Sequence, residues 1–483
     1  MAFAITQTCC TDASCVSVCP VNCIHPTPDE PAFGTTDLLY IDPDTCIDCG
    51  ACADACPVDA IFPAGELTGP LRAYEEINAE YYAGRDVLAE VSAAPNFHRW
   101  SPPSFARVLP SDFAPLDVAV VGTGPAGMYA VEDLLLHTNA RVTLIDRLPV
   151  AGGLIRYGVA PDHPSTKKIG ETFARFHDHP RLRLRLGVTA GPDLADRHDA
   201  VIYAVGATEP RRLGIPGEDL PGSWPAATVV GWYNGHPEVT PPDLSTERVV
   251  VVGAGNVALD IARILTADPD APSSTSIAPD ALARLRSSKV REVVLLARRG
   301  PETAAYTRPE LLALAARGGL VVDEDARVAA AIDGAAPGEK AAWLRGVPRE
   351  RVDWSSPPSP EGRRIVLRFH SAPVAFEGDT EVRAVRTSDG AEIPAGRVIR
   401  AAGFRGAPVP GLPFDDEAGI VPNTAGRVPG RPGVYVAGWI KRGPSGGIGA
   451  NKACARETVG SLLEDAVAGR LPARRKAKLF GRA

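Results

Sequence analysis

Closely and regularly spaced cysteines are the first residues in this chain that could do chemistry. Nine of the ten cysteines precede residue 57, and four of them form the run Cys46, Cys49, Cys52 and Cys56, followed by a proline. In a reducing compartment, cysteines at this density bind metal rather than form disulfides. A zinc site needs two separate Cys-x2-Cys pairs, whereas Cys-x2-Cys-x2-Cys-x3-Cys-Pro holds iron–sulfur clusters. The run therefore predicts iron–sulfur chemistry near the N-terminus.

The two cysteine groups are expected to share two clusters. Within the run, Cys46, Cys49 and Cys52 surround one cluster, while Cys56 belongs to the neighbouring one. Cys19, the cysteine of an earlier Cys-Pro dipeptide, completes a [4Fe–4S] cluster with the first three. The segments VCPVNCI and ACPVDAI, which contain Cys19 and Cys56, repeat each other, as expected for two related cluster sites.

The second cluster has an incomplete set of cysteine ligands. Cys9, Cys15 and Cys56 are available, but Asp12 stands where a Cys-x2-Cys-x2-Cys loop would have its middle cysteine. Three thiolates favour a [3Fe–4S] cluster, and the segment resembles the seven-iron ferredoxins, which also lack a middle thiolate. A second [4Fe–4S] cluster is the alternative, with a fourth ligand from one of three side chains: Asp12, Cys10 or Cys23.

A glycine-rich turn between a buried strand and a helix predicts a dinucleotide site. Residues 116–121 form an apolar, valine-rich run typical of a strand buried on both faces, and residues 128–136 have helical character. The turn allows close approach to a pyrophosphate, and the helix N-terminus offers free N–H groups and a positive dipole end. An acid 24 positions after the first glycine commonly hydrogen-bonds a ribose hydroxyl. The predicted binding residues are Gly122, Gly124, Pro125, Ala126, Gly127 and Asp146.

A second glycine loop follows a valine-rich strand at residues 248–252. Its third small residue is Ala258, after Gly255, in the same strand–turn–helix context. Where folds that bind NAD place an acid after the next strand, this chain has Arg298 and Arg299. A carboxylate would repel a 2′-phosphate, whereas guanidinium groups bind it through paired hydrogen bonds. The loop therefore predicts NADPH in preference to NADH.

Other glycine-containing segments are expected to lie against a flavin. Gly153 and Leu154 belong to a segment that permits close approach to a flavin ring, and His163 lies between two prolines in a constrained loop. Near the C-terminus, residues 446–448 (Gly446, Gly447 and Ile448) precede a second helix. The dipole of that helix would stabilise a reduced, anionic flavin.

Length and charge limit the class of protein. A chain of 483 residues is too long for one core, and its composition, with 45% hydrophobic and 23% charged residues, is that of a globular protein. No apolar run reaches the length of a membrane span, so we expect a cytoplasmic protein without membrane insertion. Residues 1–66 carry ten acids and no Lys or Arg, while the last residues are basic. A short basic end is usually solvated, so no nucleic-acid partner is expected.

The uneven charge favours docking of the acidic N-terminal part on the slightly basic remainder of the chain.

The predicted organisation is α/β: two Rossmann-like nucleotide-binding domains, preceded by a small α+β domain with two clusters. The expected bounds are 1–66 for the cluster domain, 67–114 for a linker with a helix at 74–94, 115–222 and 397–483 for the two parts of the first nucleotide domain, and 223–396 for the second.

Residues 115–483 are similar to the adrenodoxin-reductase type of ferredoxin–NADP⁺ reductase. The match rests on VGTGPAG, GVAPDHP, IYAVGA, IPGEDLPG, VGWYNGHP, GAGNVALD, RRGP and GWIKRGPSGGIG. The resemblance implies an FAD domain that is interrupted by an NADP domain. Members of the family generally lack the N-terminal ferredoxin, which is fused in this chain.

The resemblance also implies roles for individual residues. Asn256 and Val257 would line the pyrophosphate, and Glu310 would lie with the two arginines around the 2′-phosphate ribose. Trp439 and residues 446–448 would contact FAD, with Gly446 also near the nicotinamide. The carboxylate that the family has one turn after Glu310 is replaced by Ala313, which puts a proton pair between His163 and a glutamate in doubt.

These residues together predict an electron-transfer enzyme. NADPH would give a hydride to FAD, and single electrons would pass through the clusters to ferredoxin or a cytochrome P450-type acceptor, because nicotinamide moves two electrons and a cluster moves one. A dithiol–disulfide reductase is excluded, since Cys454 is the only cysteine after residue 56. Two alternatives are an electron-input subunit of a larger, glutamate-synthase-like oxidoreductase and a redox sensor that uses its clusters to gate a partner.

Overall fold

The N-terminal domain is built from two small antiparallel sheets. The structure is a computed structural model that describes residues 2–83, 109–268, 270, 275–359 and 361–472. Strand β1 pairs with β4, and β2 pairs with β3. The cysteines lie on the connecting loops and on two short helices. The elements are β1 (Phe3–Ile5), α1 (Ser14–Val18), β2 (Ile24–His25), β3 (Tyr40–Ile41), α2 (Ala51–Asp54), β4 (Ile61–Pro63) and α3 (Ala73–Tyr82), with 3₁₀ turns at Ala64–Glu66 and Gly69–Arg72.

Helix α3 belongs to this domain and not to a linker. The Asn78 amide oxygen accepts hydrogen bonds from the main-chain N–H groups of Ile5 (3.1 Å) and Ile41 (2.9 Å), and its nitrogen donates to the Ile5 carbonyl at 2.9 Å. The Tyr82 hydroxyl donates to the carbonyl of Cys23 at 3.1 Å. The domain thus extends at least to residue 83, beyond the predicted bound of 66. The rest of the helix predicted at 74–94 lies outside the described residues.

The first nucleotide domain contains a sheet of five parallel strands in the order β21–β8–β5–β6–β7. Its central strands are buried on both faces, as parallel sheets covered by helices require. Its elements are β5 (Asp117–Val121), α4 (Pro125–His137), β6 (Arg141–Ile145), α5 (Gly153–Tyr157), α6 (Pro164–Lys167), α7 (Ile169–Ala174), β7 (Leu182–Arg185), α8 (Leu194–Arg197), β8 (Ala200–Tyr203) and β9 (Glu209–Pro210).

The second nucleotide domain is inserted into the first and contains a parallel sheet of seven strands, β10–β19–β11–β12–β15–β13–β14, with a smaller antiparallel sheet β16–β17–β18. Its elements are β10 (Ser223–Pro225), α9 (Ala226–Tyr233), β11 (Arg248–Val252), α10 (Asn256–Thr266), α11 (Pro279–Arg286), β12 (Glu292–Leu296), α12 (Arg308–Ala315), β13 (Leu320–Asp323), α13 (Ala326–Gly334), β14 (Arg349–Glu350), β15 (Arg364–Arg368), β16 (Pro373–Glu377), β17 (Ala384–Thr387), β18 (Glu392–Pro394) and β19 (Arg397–Arg400), with 3₁₀ turns at Pro301–Thr303 and Lys340–Leu344.

The chain then returns to the first nucleotide domain. Strand β20 (Phe404–Arg405) pairs with β9 in a two-stranded ribbon that joins the two domains. The remaining elements are β21 (Val434–Val436), α14 (Trp439–Arg442) and α15 (Ala450–Val467). Because β19 lies in the second sheet, the boundary predicted between residues 396 and 397 is one strand too early. The predicted class, two Rossmann-like domains after a small α+β domain, is confirmed.

None of the helices in the described part of the chain has the length and apolar character needed to cross a membrane.

Candidate functional site

One of two cysteine-lined cavities in the N-terminal domain, the outer cavity, has a volume of about 280 Å³. It is lined by the four cysteines predicted to bind one cluster, Cys19, Cys46, Cys49 and Cys52, and by Cys23, which was one of three alternatives for a fourth ligand of the other cluster. The sulfur atoms of Cys19 and Cys23 are 3.4 Å apart. The hydrogen bond with Cys23 lowers the pKa of Cys46 to about 5 and that of Cys19 to about 6, whereas burial raises the pKa of Cys52. Cys19, Cys46, Cys49 and Cys52 line one cavity and fit the four-thiolate donor set of a [4Fe–4S] cluster, whose iron would hold them deprotonated.

The inner cavity, of about 260 Å³, is lined by the other three predicted ligands together with Cys10 and Asp12. Burial raises the pKa of Cys9 to about 11 and also raises that of Cys15, so these thiols need a nearby positive charge to ionise. Iron provides such a charge, and Cys9, Cys15 and Cys56 fit a cluster with three thiolate ligands. Of the three alternatives for a fourth ligand, Cys10 and Asp12 line this cavity. The suggestion of Cys23 disagrees with the structure, because Cys23 lines the outer cavity.

The first glycine loop forms a cradle of closely packed main chain. Gly122 has φ +107°, and a Cβ there would lie 2.4 Å from the Ala204 carbonyl oxygen. A Cβ on Gly127 would lie 1.9 Å from the Gly122 oxygen, and one on Gly153 would lie 2.7 Å from the Cα of Gly124. Main chain therefore packs directly on main chain in this turn, with no room for side chains, as in the tight glycine turns that bind a pyrophosphate. Helix α4 begins at Pro125, directly after this loop, and the loop fits the FAD diphosphate.

Asp146 lies beside the loop, as predicted, and its carboxylate also accepts hydrogen bonds that hold the loop in place. Its Oδ2 accepts hydrogen bonds from the Thr123 main-chain N–H (2.9 Å) and hydroxyl (2.6 Å), and its Oδ1 accepts one from the N–H of Leu148 at 2.9 Å. Because each carboxylate oxygen has two acceptor positions, these bonds leave capacity for a ribose hydroxyl. Leu154 is half exposed on helix α5 and adjoins Gly153 at the same loop.

The C-terminal segment lies against the same cradle. Gly438 has φ +77°, and a Cβ there would lie 2.5 Å from the Cβ of Ala126 in helix α4. The Trp439 indole N–H donates to the Gly446 carbonyl at 3.2 Å. Gly446 and Gly447 are exposed, Ile448 is half-buried, and the helix begins at Ala450, two residues after Ile448. The structure therefore brings the two predicted parts of the FAD site together.

The second glycine loop has the same construction in the inserted domain. Gly253 has φ +131°, and Gly255 caps helix α10, which begins at Asn256. The Asn256 side-chain oxygen accepts a hydrogen bond from the Thr307 N–H at 2.9 Å, while Val257 is part-exposed and Ala258 is buried. After strand β12, which pairs with the strand before the loop, both arginines of the predicted phosphate site are exposed: Arg298 and Arg299. Both side chains can therefore bind an anion near the carboxyl end of strand β12.

His163 lies in a buried charged network that centres on Arg263. The Arg263 guanidinium, 2% exposed, donates to the carboxylates of Asp162 (2.8 and 3.1 Å), Asp260 (2.5 Å) and Glu310 (3.2 Å) and lies 3.1 Å from the His163 Nε2. Although burial alone would raise the pKa of Asp162, the hydrogen bond from Arg263 holds it below its ordinary value. Burial and Asp260 raise the pKa of Glu310.

This network bears on two inferences from the resemblance. Glu310, expected with the two arginines around the 2′-phosphate ribose, has a carboxylate oxygen within 4.8 Å of a carboxylate oxygen of Asp260 and a ring nitrogen of His163. His163 therefore has carboxylate neighbours although position 313 is alanine. Asp260 and Arg263 were missed from the sequence, and their spacing of three on helix α10 was the available signal.

We expect His163→Ala to slow turnover with NADPH by about tenfold or more, because the Arg263 network holds the imidazole in place and a positioned imidazole can orient or exchange protons. His137→Ala, on the exposed end of helix α4, is the matched control. Steady-state assays with NADPH and NADH would measure both variants. Equal turnover of the His163 variant and the control would assign His163 a purely structural role.

The comparisons with known proteins agree with this geometry. Residues 116–300 match the model of the pyridine nucleotide-disulphide oxidoreductase family, and residues 39–62 match a 4Fe-4S binding domain. A Mycobacterium tuberculosis protein named as a probable ferredoxin/ferredoxin–NADP reductase is 46% identical over 507 residues, covering 98% of this chain and 85% of that protein. Human mitochondrial NADPH:adrenodoxin oxidoreductase is 38% identical over 411 residues, covering 77% of this chain and 83% of that protein.

A solved structure, that of FprA from Mycobacterium tuberculosis in complex with NADPH, matches with a TM-score of 0.68 and 40% identity. The match covers 74% of this chain and 87% of the FprA chain.

Proposed function

This chain belongs to the ferredoxin–NADP reductase family, and from that premise we propose that it passes electrons from NADPH to FAD and then through its own iron–sulfur clusters to a separate acceptor protein. The observation that carries the proposal is the continuous core of the N-terminal and FAD domains. Buried cysteines of both cavities (Cys10, Cys15, Cys19, Cys52) and residues of the FAD sheet and helix α4 (Val118, Val120, Ala126, Met128) form one hydrophobic cluster.

The overall reaction balances in electrons and protons. NADPH loses a hydride, which amounts to two electrons and one proton, and becomes NADP⁺. Two one-electron acceptors each take one electron, and the proton passes to water. FAD supplies the conversion between two-electron and one-electron chemistry.

The chain's own residues bind and orient the reactants. Arg298 and Arg299 bind the 2′-phosphate of NADPH, and the N-terminus of helix α10 at Asn256 holds its pyrophosphate. Gly446 leaves room for the nicotinamide beside the flavin site, and Trp439 holds the Gly446 segment through its indole N–H. The Arg263 network fixes His163 at the edge of the site, where the ring exchanges or orients protons.

The proposed cluster content is one [4Fe–4S] and one [3Fe–4S] cluster. The outer cavity would hold the [4Fe–4S] cluster through Cys19, Cys46, Cys49 and Cys52, and the inner cavity would hold the other through its three cysteines. A second [4Fe–4S] cluster, with Cys10 or Asp12 as fourth ligand, is the alternative. Iron per flavin, measured together with low-temperature EPR, tests this: seven irons support the proposal, and eight support the alternative.

Ferredoxin-type proteins and cytochrome P450-type proteins are the proposed acceptors, in the cytoplasm. Anaerobic mixing of the purified chain with NADPH and a free ferredoxin or haem protein tests this. Reduction of the added protein is expected. Reduction of a dye alone, with no transfer to either protein, would instead indicate an input subunit of a larger enzyme.

A further inference from the structure

We propose that the inner cavity holds the first electron acceptor after the flavin, and that the contact between its cysteine loop and Gly449 is the route into the N-terminal domain. The outer cavity then passes electrons out of the molecule. This order of transfer rests on the proposed function and adds to it. Each cluster takes one electron from its donor and gives one to the next acceptor, so two electrons from one NADPH leave in two successive passages.

The main chain of the inner cysteine loop lies directly on Gly449. The Gly449 N–H donates a hydrogen bond of 2.9 Å to the carbonyl of Cys10, which lines the inner cavity. Gly449 is buried, and a Cβ there would lie 2.1 Å from the Thr11 oxygen and 2.5 Å from the Asp12 nitrogen. Gly449 directly follows the segment 446–448 of the FAD site. One hydrogen bond therefore connects the segment beside the flavin to a loop that holds cluster ligands.

Two ion pairs link the region of the inner cavity to the FAD domain. Lys452, in the first turn of helix α15, lies 3.5 Å from Asp12 of the inner cavity. Lys168 of the FAD domain pairs with Asp59, which lies three residues after the cluster ligand Cys56. Both pairs join a base of the reductase to an acid of the N-terminal domain, so the charge asymmetry of the chain is used at this junction.

Apolar packing also contributes to the junction. Ile448 packs against the hydrophobic cluster that contains Cys10, Cys15 and Tyr129 of helix α4. Tyr129 is buried and belongs to the same hydrophobic cluster as the inner-cavity residues Cys10 and Cys15. The route from the flavin site to the inner cavity is therefore through packed protein.

The lining of the outer cavity includes exposed residues, whereas each residue that lines the inner cavity is at least partly buried. Cys49, one of its predicted ligands, is exposed, and the neighbouring Ile47, which also lines the cavity, is 57% exposed. An acceptor protein can therefore approach this cluster closely.

Substitution of Gly449 tests the junction. In Gly449→Ala the new Cβ must displace residues 11–12, so we expect hydrogen exchange of residues 9–15 to increase and reduction of the clusters after NADPH mixing to slow by about tenfold or more. Gly346→Ala is the matched control, because a Cβ at Gly346 has no atom within 4 Å and its φ is unstrained. Unchanged exchange and unchanged cluster reduction in Gly449→Ala would overturn the proposal.

Removal of one cluster at a time tests the order. In Cys15→Ser we expect the outer cluster to be reduced by dithionite but only slowly by NADPH, and in Cys49→Ser we expect NADPH to reduce the inner cluster at the wild-type rate. EPR of freeze-quenched samples reports each cluster separately. Fast reduction of the outer cluster by NADPH in Cys15→Ser would refute the order. If Cys15→Ser does not fold, the Gly449→Ala result decides alone. Failure of NADPH to bleach the flavin in the wild-type chain would refute the proposed function instead.

Discussion

Replacing Arg298 and Arg299 together by alanine is expected to narrow the preference for NADPH over NADH by ~2–4 kcal/mol. The two guanidinium groups are exposed after strand β12, beyond the second glycine loop. They can bind the 2′-phosphate that only NADPH carries, and the alanine variant loses those charge-assisted hydrogen bonds. The ratio of kcat/KM for the two nucleotides measures the effect directly, and the kcat/KM for NADH should change little.

The control for this variant is Arg327→Ala, which removes an exposed arginine in helix α13 of the same domain. It lowers the positive charge of the domain without touching the predicted site. A selectivity ratio that is equal in the double variant and the control would show that the two arginines do not read the 2′-phosphate.

Replacing Cys49 by serine is expected to reduce electron delivery to an external protein by about a hundredfold or more, while NADPH still reduces the flavin at the wild-type rate. Cys49 is the most exposed ligand of the outer cluster, and its thiolate is one of four that hold the iron. The nucleotide loops belong to other domains, so their contacts remain intact. Stopped-flow absorbance separates the two steps, because flavin bleaching and acceptor reduction have different spectra.

Cys454→Ser is the matched control for thiol loss. Its sulfur accepts a hydrogen bond from the Gly438 N–H at 3.2 Å, a contact that a serine hydroxyl can also make. We expect normal delivery of electrons in this variant. Slow flavin reduction in Cys49→Ser would contradict the separation of the two modules.

The sequence was sufficient where the signal is local. Valine-rich runs at residues 117–121 and 248–252 predicted buried parallel strands, and the glycines after them predicted turns with main chain in close contact. These patterns depend on neighbours within a few residues, so they can be recognised without the fold. The two nucleotide domains and the family follow from them and are confirmed.

The domain bounds depend on contacts between distant residues. Helix α3 has ordinary helical spacing, but its place in the N-terminal domain is fixed by Asn78, whose hydrogen-bond partners Ile5 and Ile41 are 73 and 37 positions away. Strand β19 is also recognisable as a short strand from its sequence, but the sequence does not show which sheet it joins. Its pairing with β11, about 150 residues earlier in the chain, assigns it to the inserted domain.

The charged network around His163 was missed for a related reason. Asp260 and Arg263 lie on helix α10, which was interpreted only as the helix that follows the second glycine loop. The residue type alone does not show whether an arginine is buried or exposed. The cavity that Cys23 lines was likewise not predictable from the sequence. The fold of the loop between α1 and β2 places Cys23 in the outer cavity. Site residues from separate segments can be proposed from sequence, but their grouping requires the fold.

The contacts of Arg308 restrict movement of the inserted domain relative to the N-terminal domain. Its main-chain N–H donates to Asp37 at 3.2 Å, its side chain pairs with Glu80, and Leu312 one turn later packs against the hydrophobic cluster of the N-terminal domain that contains Leu38. Together with the core that it shares with the FAD domain, these contacts attach the N-terminal domain to both nucleotide domains, which the ribbon of β9 and β20 also joins. Rotation about that ribbon would have to break these attachments, so we expect the spacing between the two nucleotides to stay nearly constant through the catalytic cycle, with NADP⁺ departing by small loop movements instead of by a swing of its domain.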